Sequence, residues 1–201
     1  MSAPRLILAS ASPRRAELLR MLGLNFEIRP ADIDETYLPH EEPGAHAERL
    51  AREKAAAIAA AEPDAIVIGS DTVVIAGDTV LGKPRDASEA VAMLLTLQGR
   101  EHIVATGVAV IADAGVASHV ERVRVRFREF DRPLAEAYVA TGEPMDKAGA
   151  YGIQGYGAAL VDRIDGDYFS VMGLPVSRLI RMLDAVGIRY SFPGLERRSR
   201  S

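Results

Sequence analysis

The chain has 201 residues, 48% of them hydrophobic and 26% charged, with a net charge of −4. That length suits one compact domain with a sizeable core, and the acidic balance argues against a general nucleic-acid binder while leaving small anionic ligands open. There is no cysteine, which excludes disulfides, thiolate zinc sites and cysteine nucleophiles, so a metal would have to sit on carboxylates or histidines.

The start, "MSAPRLILAS", is too brief for a signal-peptide core, and no later run is long enough to span a bilayer; a cytoplasmic protein is expected. "RLILA" reads as a buried strand and "RRAELLRMLG" as a helix closed by Gly23. Ser12 and Pro13 look like its N-cap and first residue, which puts Arg14 and Arg15 at the positive end of the helix dipole. Two cations there are unfavourable unless they are simply solvated or an anion joins them, since a strand, a small-residue loop and a helix N-terminus make a common anion site.

"FEIRP" is a second strand, "ADIDETYLPHEEPG" a polar loop, and Ala45 to Ala61 an alanine-rich helix. Lys54 shares a helical stripe with Ala47, Leu50, Ala51 and Ile58, so it either snorkels or aims a cation at a ligand. The loop carries Asp32, Asp34 and Glu35, carboxylates that are either solvated or, with Asp71, able to hold Mg²⁺ or Mn²⁺.

"DAIVIGSDTVVIAGDTVLGKP" is predicted to be a buried strand ended at Ser-Asp-Thr, then a hairpin about Gly77-Asp78. Asp71 would then lie just past the carboxyl end of a strand, where α/β proteins bind ligands; the alternative is a turn or cap aspartate. "GDTVLGKP" nearly matches a phosphate-binding loop, but Pro84 replaces the metal-binding hydroxyl and the segment reads as a hairpin. Lys83 stays open as a phosphate contact or a solvated lysine.

A helix over Ser88 to Leu97 precedes two long strands around Asp113 and Gly115, and the alternating arginines of "ERVRVRFREF" read as a solvated strand face. Leu134 to Thr141 forms a short helix, Ala158 to Ile164 a strand, and Pro175 to Asp184 the last helix. Between them, "DKAGAYGIQGYG" is either a turn or a glycine-rich wall in which the Gln154 amide meets a nucleobase edge. The four histidines show no metal spacing and read as surface or packing residues. Residues 1–190 are expected to form a single domain and 191–201, ending "LERRSRS", a flexible tail.

Taken in order, "LASASPRRAELL", "DIDET", "RLAREKA", "GSDTVV", "LGKPRDASEA" and "DKAGAYGIQGYG" resemble the Maf family of nucleoside triphosphate pyrophosphatases over nearly the whole chain. The last stretch matches the branch associated with dTTP and UTP. The resemblance implies an α/β fold, an elongated mixed sheet with flanking helices and a cleft between two lobes, similar to inosine triphosphate pyrophosphatases. It implies that Asp71 is the catalytic proton acceptor and Glu35 a further site residue, and read with the carboxylate pattern Asp71 would help bind a divalent metal with Glu35. It places substrate-discriminating contacts at Arg14, Thr72 and Gln154, and further site residues at Ser12, Arg15, Lys54 and Lys83. Family members are often homodimers and have been linked to arrest of septum formation. The implied reaction is hydrolysis between the α and β phosphates, giving a nucleoside monophosphate and pyrophosphate, with modified pyrimidine nucleotides and nucleotide-pool sanitation within its reach. A nucleotide sensor with incidental hydrolysis is the rival, and it would not need Asp71 as a base.

Overall fold

A computed structural model describes residues 4–197 of the chain. It opens with strand β1 (Leu6–Leu8), helix α1 (Pro13–Met21), strand β2 (Glu27–Ile28), helix α2 (Pro43–Ala59) and strand β3 (Ile66–Ala76). Strand β4 (Thr79–Leu81), helix α3 (Ala87–Leu97), the long strands β5 (Glu101–Ala112) and β6 (Gly115–Phe127), and helix α4 (Arg132–Ala140) follow. After three 3-10 turns come β7 (Val161–Asp165), α5 (Tyr168–Met172), α6 (Val176–Ala185), β8 (Ile188–Tyr190) and β9 (Leu195–Arg197). The strand order is β2-β1-β3-β5-β6-β7, with β4 also paired to β3, so this is the expected mixed sheet with flanking helices.

The chain divides into two compact units. Among the described residues the first holds 4–71, 106–121 and 173–197, and the second 72–105 and 122–172. In the first, β1 pairs in parallel with β2 and β3, and all three of its residues are buried, as a continuous apolar run predicts. Helix α1 ends where Gly23 takes φ +71, with its N–H on the Arg20 carbonyl at 2.8 Å and the Leu24 N–H on Leu19 at 3.2 Å. That pair of bonds makes a Schellman stop, which needs the left-handed residue that glycine supplies.

Helix α2 lies on the sheet through its backbone. A Cβ at Gly69 of β3 would fall 2.1 Å from the Ala51 carbonyl oxygen, and one at Gly107 of β5 would fall 2.1 Å from that of Ala47. Ala47, Ala51 and Ala55 are fully buried in that contact. The alanines that predict a helix by propensity are therefore also its packing surface.

The second unit packs Val74, Leu94, Val104, Val123, Val125, Phe127 and Tyr151 into one core. On β6, Val123, Val125 and Phe127 are buried while Arg122, Arg124 and Arg126, and Arg128 just after the strand, stay exposed, and Arg124 and Arg126 pair with Asp165 and Asp162 of β7. The arginine stripe is the solvated, charge-paired face that its alternation predicts.

Two expectations are corrected. Ser70-Asp71-Thr72 does not end a strand: β3 runs on to Ala76, because Val74, Ile75 and Ala76 gain partners in Leu81, Val80 and Thr79 of β4. Nor are residues 191–197 a flexible tail. Leu195–Arg197 pairs with Ile188–Tyr190, the Tyr190 hydroxyl donates to the Leu22 carbonyl at 2.7 Å, and Arg197 bonds the Asp64 carbonyl at 3.1 Å and pairs with Asp113. Residues 198–201 lie outside the described residues.

Candidate active site

The central group of the first unit follows from two periodicities. Along β3, Gly69 and Asp71 share a face, since side chains alternate. Along α2, Ala51 and Lys54 are one turn apart. Because the backbones touch at Gly69 and Ala51, Lys54 is delivered to Asp71, and its Nζ donates to Asp71 Oδ1 at 2.7 Å. The same Nζ lies 2.6 Å from Glu35 Oε1. The Lys54 and Asp71 side chains are 11% and 14% exposed, that of Glu35 57%. Lys54 does not snorkel; it is a buried cation between two carboxylates. Asp71 Oδ2 accepts no hydrogen bond among the described residues.

Arg15 is also not solvated. It is buried, and its Nε donates to the Gly173 carbonyl at 2.8 Å and its Nη1 to Ser10 Oγ at 2.9 Å. Desolvation pulls its guanidinium below the usual arginine range, opposed by the charge of Asp71. The fully buried Ser70 hydroxyl lies 2.8 Å from the Gly107 carbonyl and 2.9 Å from that of Gly173, and its one proton serves one at a time. Ser10, Ser70 and Gly173 thus organise the floor behind Arg15. Sequence reading missed all three, although Ser70 on the opposite face from Asp71 follows from alternation. Ser12 holds the N-cap position, but its side chain makes no cap bond, and its N–H goes to Ser10 Oγ at 3.2 Å. Arg14 is half-buried in the first turn.

Glu35 is held by its loop. Asp34 Oδ1 accepts from the Thr36 N–H at 2.9 Å and hydroxyl at 2.6 Å, so Asp34 shapes a turn. Arg49 Nη2 donates to the Thr36 carbonyl at 3.0 Å, and Arg49 and His46 both pair with Glu41. His46 stacks on Tyr37 with ring centroids 3.5 Å apart, a packing role for that histidine. Asp32 is exposed.

Thr72, Lys83 and Gln154 belong to the second unit. Thr72 is half-buried beside Asp71 in the chain, and Lys83 is exposed just after β4. The Gly82 carbonyl accepts the Gly149 N–H at 3.0 Å, which ties the Lys83 loop to the glycine-rich segment. Gln154 is half-buried in extended backbone, and its amide pairs with no protein group among the described residues.

Two carboxylates reaching one ammonium are close enough to share one hard cation. Mg²⁺ takes one or two carboxylates and completes its octahedron with phosphate oxygens and water, so Glu35 and Asp71 fit that role. Among the described residues no group of three or more His, Asp or Glu could hold a metal; the protein offers a partial set that a phosphate ligand would complete. No helix among the described residues is long and apolar enough to cross a membrane.

The model of the Maf-like protein family matches residues 5–186. A curated relative from Moorella thermoacetica named "dTTP/UTP pyrophosphatase" is 52% identical over 186 residues, covering 92% of this chain and 96% of that protein. Proteins of the same name from Symbiobacterium thermophilum and Aquifex aeolicus are 50% and 45% identical, over 91% and 89% of this chain and 94% of each relative. Among solved structures, a HAM1 protein from Coxiella burnetii matches with TM-score 0.39 and 15% identity, over 62% of this chain and 73% of that one.

Proposed function

The chain belongs to the Maf-like protein family, and on that premise we propose that it is a nucleoside triphosphate pyrophosphatase acting on dTTP and UTP. The observation that carries the reading is the convergence of Glu35 and Asp71 on Lys54. It sets a carboxylate with one oxygen fixed and the other open beside cations of the kind a triphosphate needs.

In the proposed reaction water attacks the α phosphorus, the bond to the bridging oxygen breaks, and pyrophosphate leaves with the nucleoside monophosphate as the other product. Asp71 accepts the water proton at Oδ2, while Lys54 holds Oδ1 and keeps the carboxylate oriented. Arg14, Lys54 and Lys83 neutralise phosphate oxygens, and the buried Arg15 adds its charge behind Arg14. Glu35 and Asp71 are the residues that would hold a divalent cation, Mg²⁺ or Mn²⁺, whose contribution there is neutralisation of phosphate charge. Ser12 and Thr72 complete the substrate contacts, and Gln154 reads the base. Uracil and thymine present acceptor, donor, acceptor along the pairing edge, and an amide answers two neighbours at once, whereas cytosine reverses part of that pattern. Within the same proposal residues 1–190 act as one functional domain. The protein works in the cytoplasm as a homodimer, without nucleic acid or membrane, clears standard and modified pyrimidine triphosphates from the nucleotide pool, and bears on arrest of septum formation.

Pyrophosphate release from a nucleotide panel, with and without Mg²⁺, tests this. The expected result is similar efficiency on dTTP and UTP and poor turnover of CTP and GTP. Asp71→Asn should lose about a thousandfold in turnover while binding dTTP within about tenfold of the unmodified protein. Near-normal turnover in that variant would overturn the assignment of the base, and tight binding without hydrolysis by the unmodified protein would favour the sensor.

A further inference from the structure

The glycine-rich segment of the second unit is wrapped around one carboxylate. Glu143 Oε1 accepts from the Gly157 N–H at 3.0 Å and from the Tyr138 hydroxyl at 2.8 Å, and Oε2 accepts from the Tyr156 N–H at 2.9 Å. The Tyr138 oxygen in turn accepts the Gly152 N–H at 3.0 Å. The backbone is thereby bonded on both sides of Gln154, at 152 and at 156–157.

The glycines are spaced for that grip. A Cβ at Gly155 would lie 2.4 Å from Glu143 Oε2, and one at Gly157 would lie 2.6 Å from the Tyr138 oxygen and 2.1 Å from the Gly152 carbonyl oxygen. At Gly152 it would meet Lys147 Cε at 2.9 Å, and Lys147 Nζ itself bonds the Glu143 carbonyl. Three of the segment's glycines therefore make room for Glu143, Tyr138 and Lys147, with no ligand required to explain them. Burial alone would raise the Glu143 carboxyl; the Gly157 N–H, Tyr138, the Tyr156 N–H and Lys147 outweigh it and hold it below its ordinary value. A glycine-rich loop left to itself has the largest conformational freedom of any backbone, and a hydrogen-bond reader works only when its amide is held to within about 0.5 Å.

We infer that Glu143, with Tyr138, is a positioning residue for base selection: it fixes the backbone on both sides of Gln154 so that the amide meets a pyrimidine edge in one orientation. The inference rests on the reading of Gln154 given above. Glu143 touches no substrate atom in this role; it acts through the loop.

The test is the ratio of kcat/KM for dTTP to that for CTP in Glu143→Gln. The substitution keeps the size of the side chain but turns one acceptor into an NH₂ group facing an N–H donor. We expect the ratio to fall about tenfold, mostly through KM, with kcat on dTTP within about threefold. In a Gln154→Ala background the same substitution should leave the ratio unchanged, which a merely structural role would not predict. Tyr138→Phe removes only the hydroxyl and should lower the ratio in the same direction, and it carries the test if Glu143→Gln fails to fold. An unchanged ratio in the folded variant, with Gln154→Ala itself lowering the ratio, overturns the inference and leaves the base reader standing. If the unmodified protein does not distinguish dTTP from CTP, or if Gln154→Ala alone does not alter the ratio, the reading of Gln154 falls and the inference falls with it.

Discussion

Lys54 Nζ lies 2.7 Å from Asp71 Oδ1, and the pair is a consequence of where two backbones touch. Gly69 sits two residues before Asp71 and Ala51 one turn before Lys54, so the contact at 2.1 Å between the position of a Gly69 Cβ and the Ala51 carbonyl oxygen sets the distance between the charged groups. An ion pair of this kind is a product of packing, which makes it sensitive to changes that carry no charge.

Gly69→Ala should therefore be severe. The added methyl meets the Ala51 carbonyl oxygen and, at 2.9 Å, the Ala55 nitrogen, and backbone cannot swing aside as a side chain can. We expect a loss of about 3 kcal/mol or more, read as a fall in the urea midpoint, together with loss of activity. A variant as stable as the parent would show that α2 is not seated on β3 as described.

Lys54→Met should unmask the two carboxylates. Without the ammonium, Glu35 and Asp71 keep their mutual repulsion and gain affinity for a divalent cation, by about tenfold for Mn²⁺ in the absence of nucleotide. Titration calorimetry on the nucleotide-free protein reads this independently of turnover, and dTTP binding should weaken in the same variant because a phosphate-facing cation is gone. An unchanged Mn²⁺ affinity would mean that the two carboxylates do not share an ion.

Arg14 and Arg15 should separate in a melting experiment. Arg14 stands at the second position of α1, where the helix dipole opposes a cation by about 0.3–1 kcal/mol, so Arg14→Ala should lower Tm less than Arg15→Ala does while weakening dTTP binding. Arg15→Ala removes the donors to Ser10 and to the Gly173 carbonyl, and its Tm should fall. A large Tm loss in Arg14→Ala with unchanged kinetics would make Arg14 structural.

His102 predicts a pH dependence. Its Nε2 lies 2.8 Å from the Tyr151 hydroxyl, its Nδ1 has no hydrogen-bond partner among the described residues, and burial pushes it down to about 4 from an ordinary value of 6.5. The folded state therefore keeps a neutral imidazole while the unfolded chain takes up a proton. The contribution to stability is fully present above about pH 6.5 and is lost as pH falls toward about 4, by about 3 kcal/mol in all. In urea unfolding at pH 7 and pH 4.5, His102→Leu should lose less stability on acidification than the parent. Parallel losses would place His102 in a more solvated setting.

The sequence by itself determined the elements whose signals are local. The Ser-Pro start and Gly23 stop of α1, the alanines of α2, the turn at Gly77 and the alternation of β6 are each set by a few neighbouring residues, so capping, propensity and periodicity were enough to read them. The same holds for the residue types of the site, because Arg14, Lys54, Lys83 and Asp71 stand out against the local pattern of their own segments. Tertiary structure alone decided the rest. Pairing with β4 carried β3 through Asp71, and the contacts of Tyr190 with Leu22 and of Arg197 with Asp64 and Asp113 seated a segment that looks solvated when read alone. The glycines between 152 and 157 took their meaning from Tyr138 and Glu143, upstream on α4 and the turn after it. In each case the deciding partner lies outside the segment being read, and a backbone hydrogen bond or a close approach between distant segments leaves no periodicity for the sequence to display.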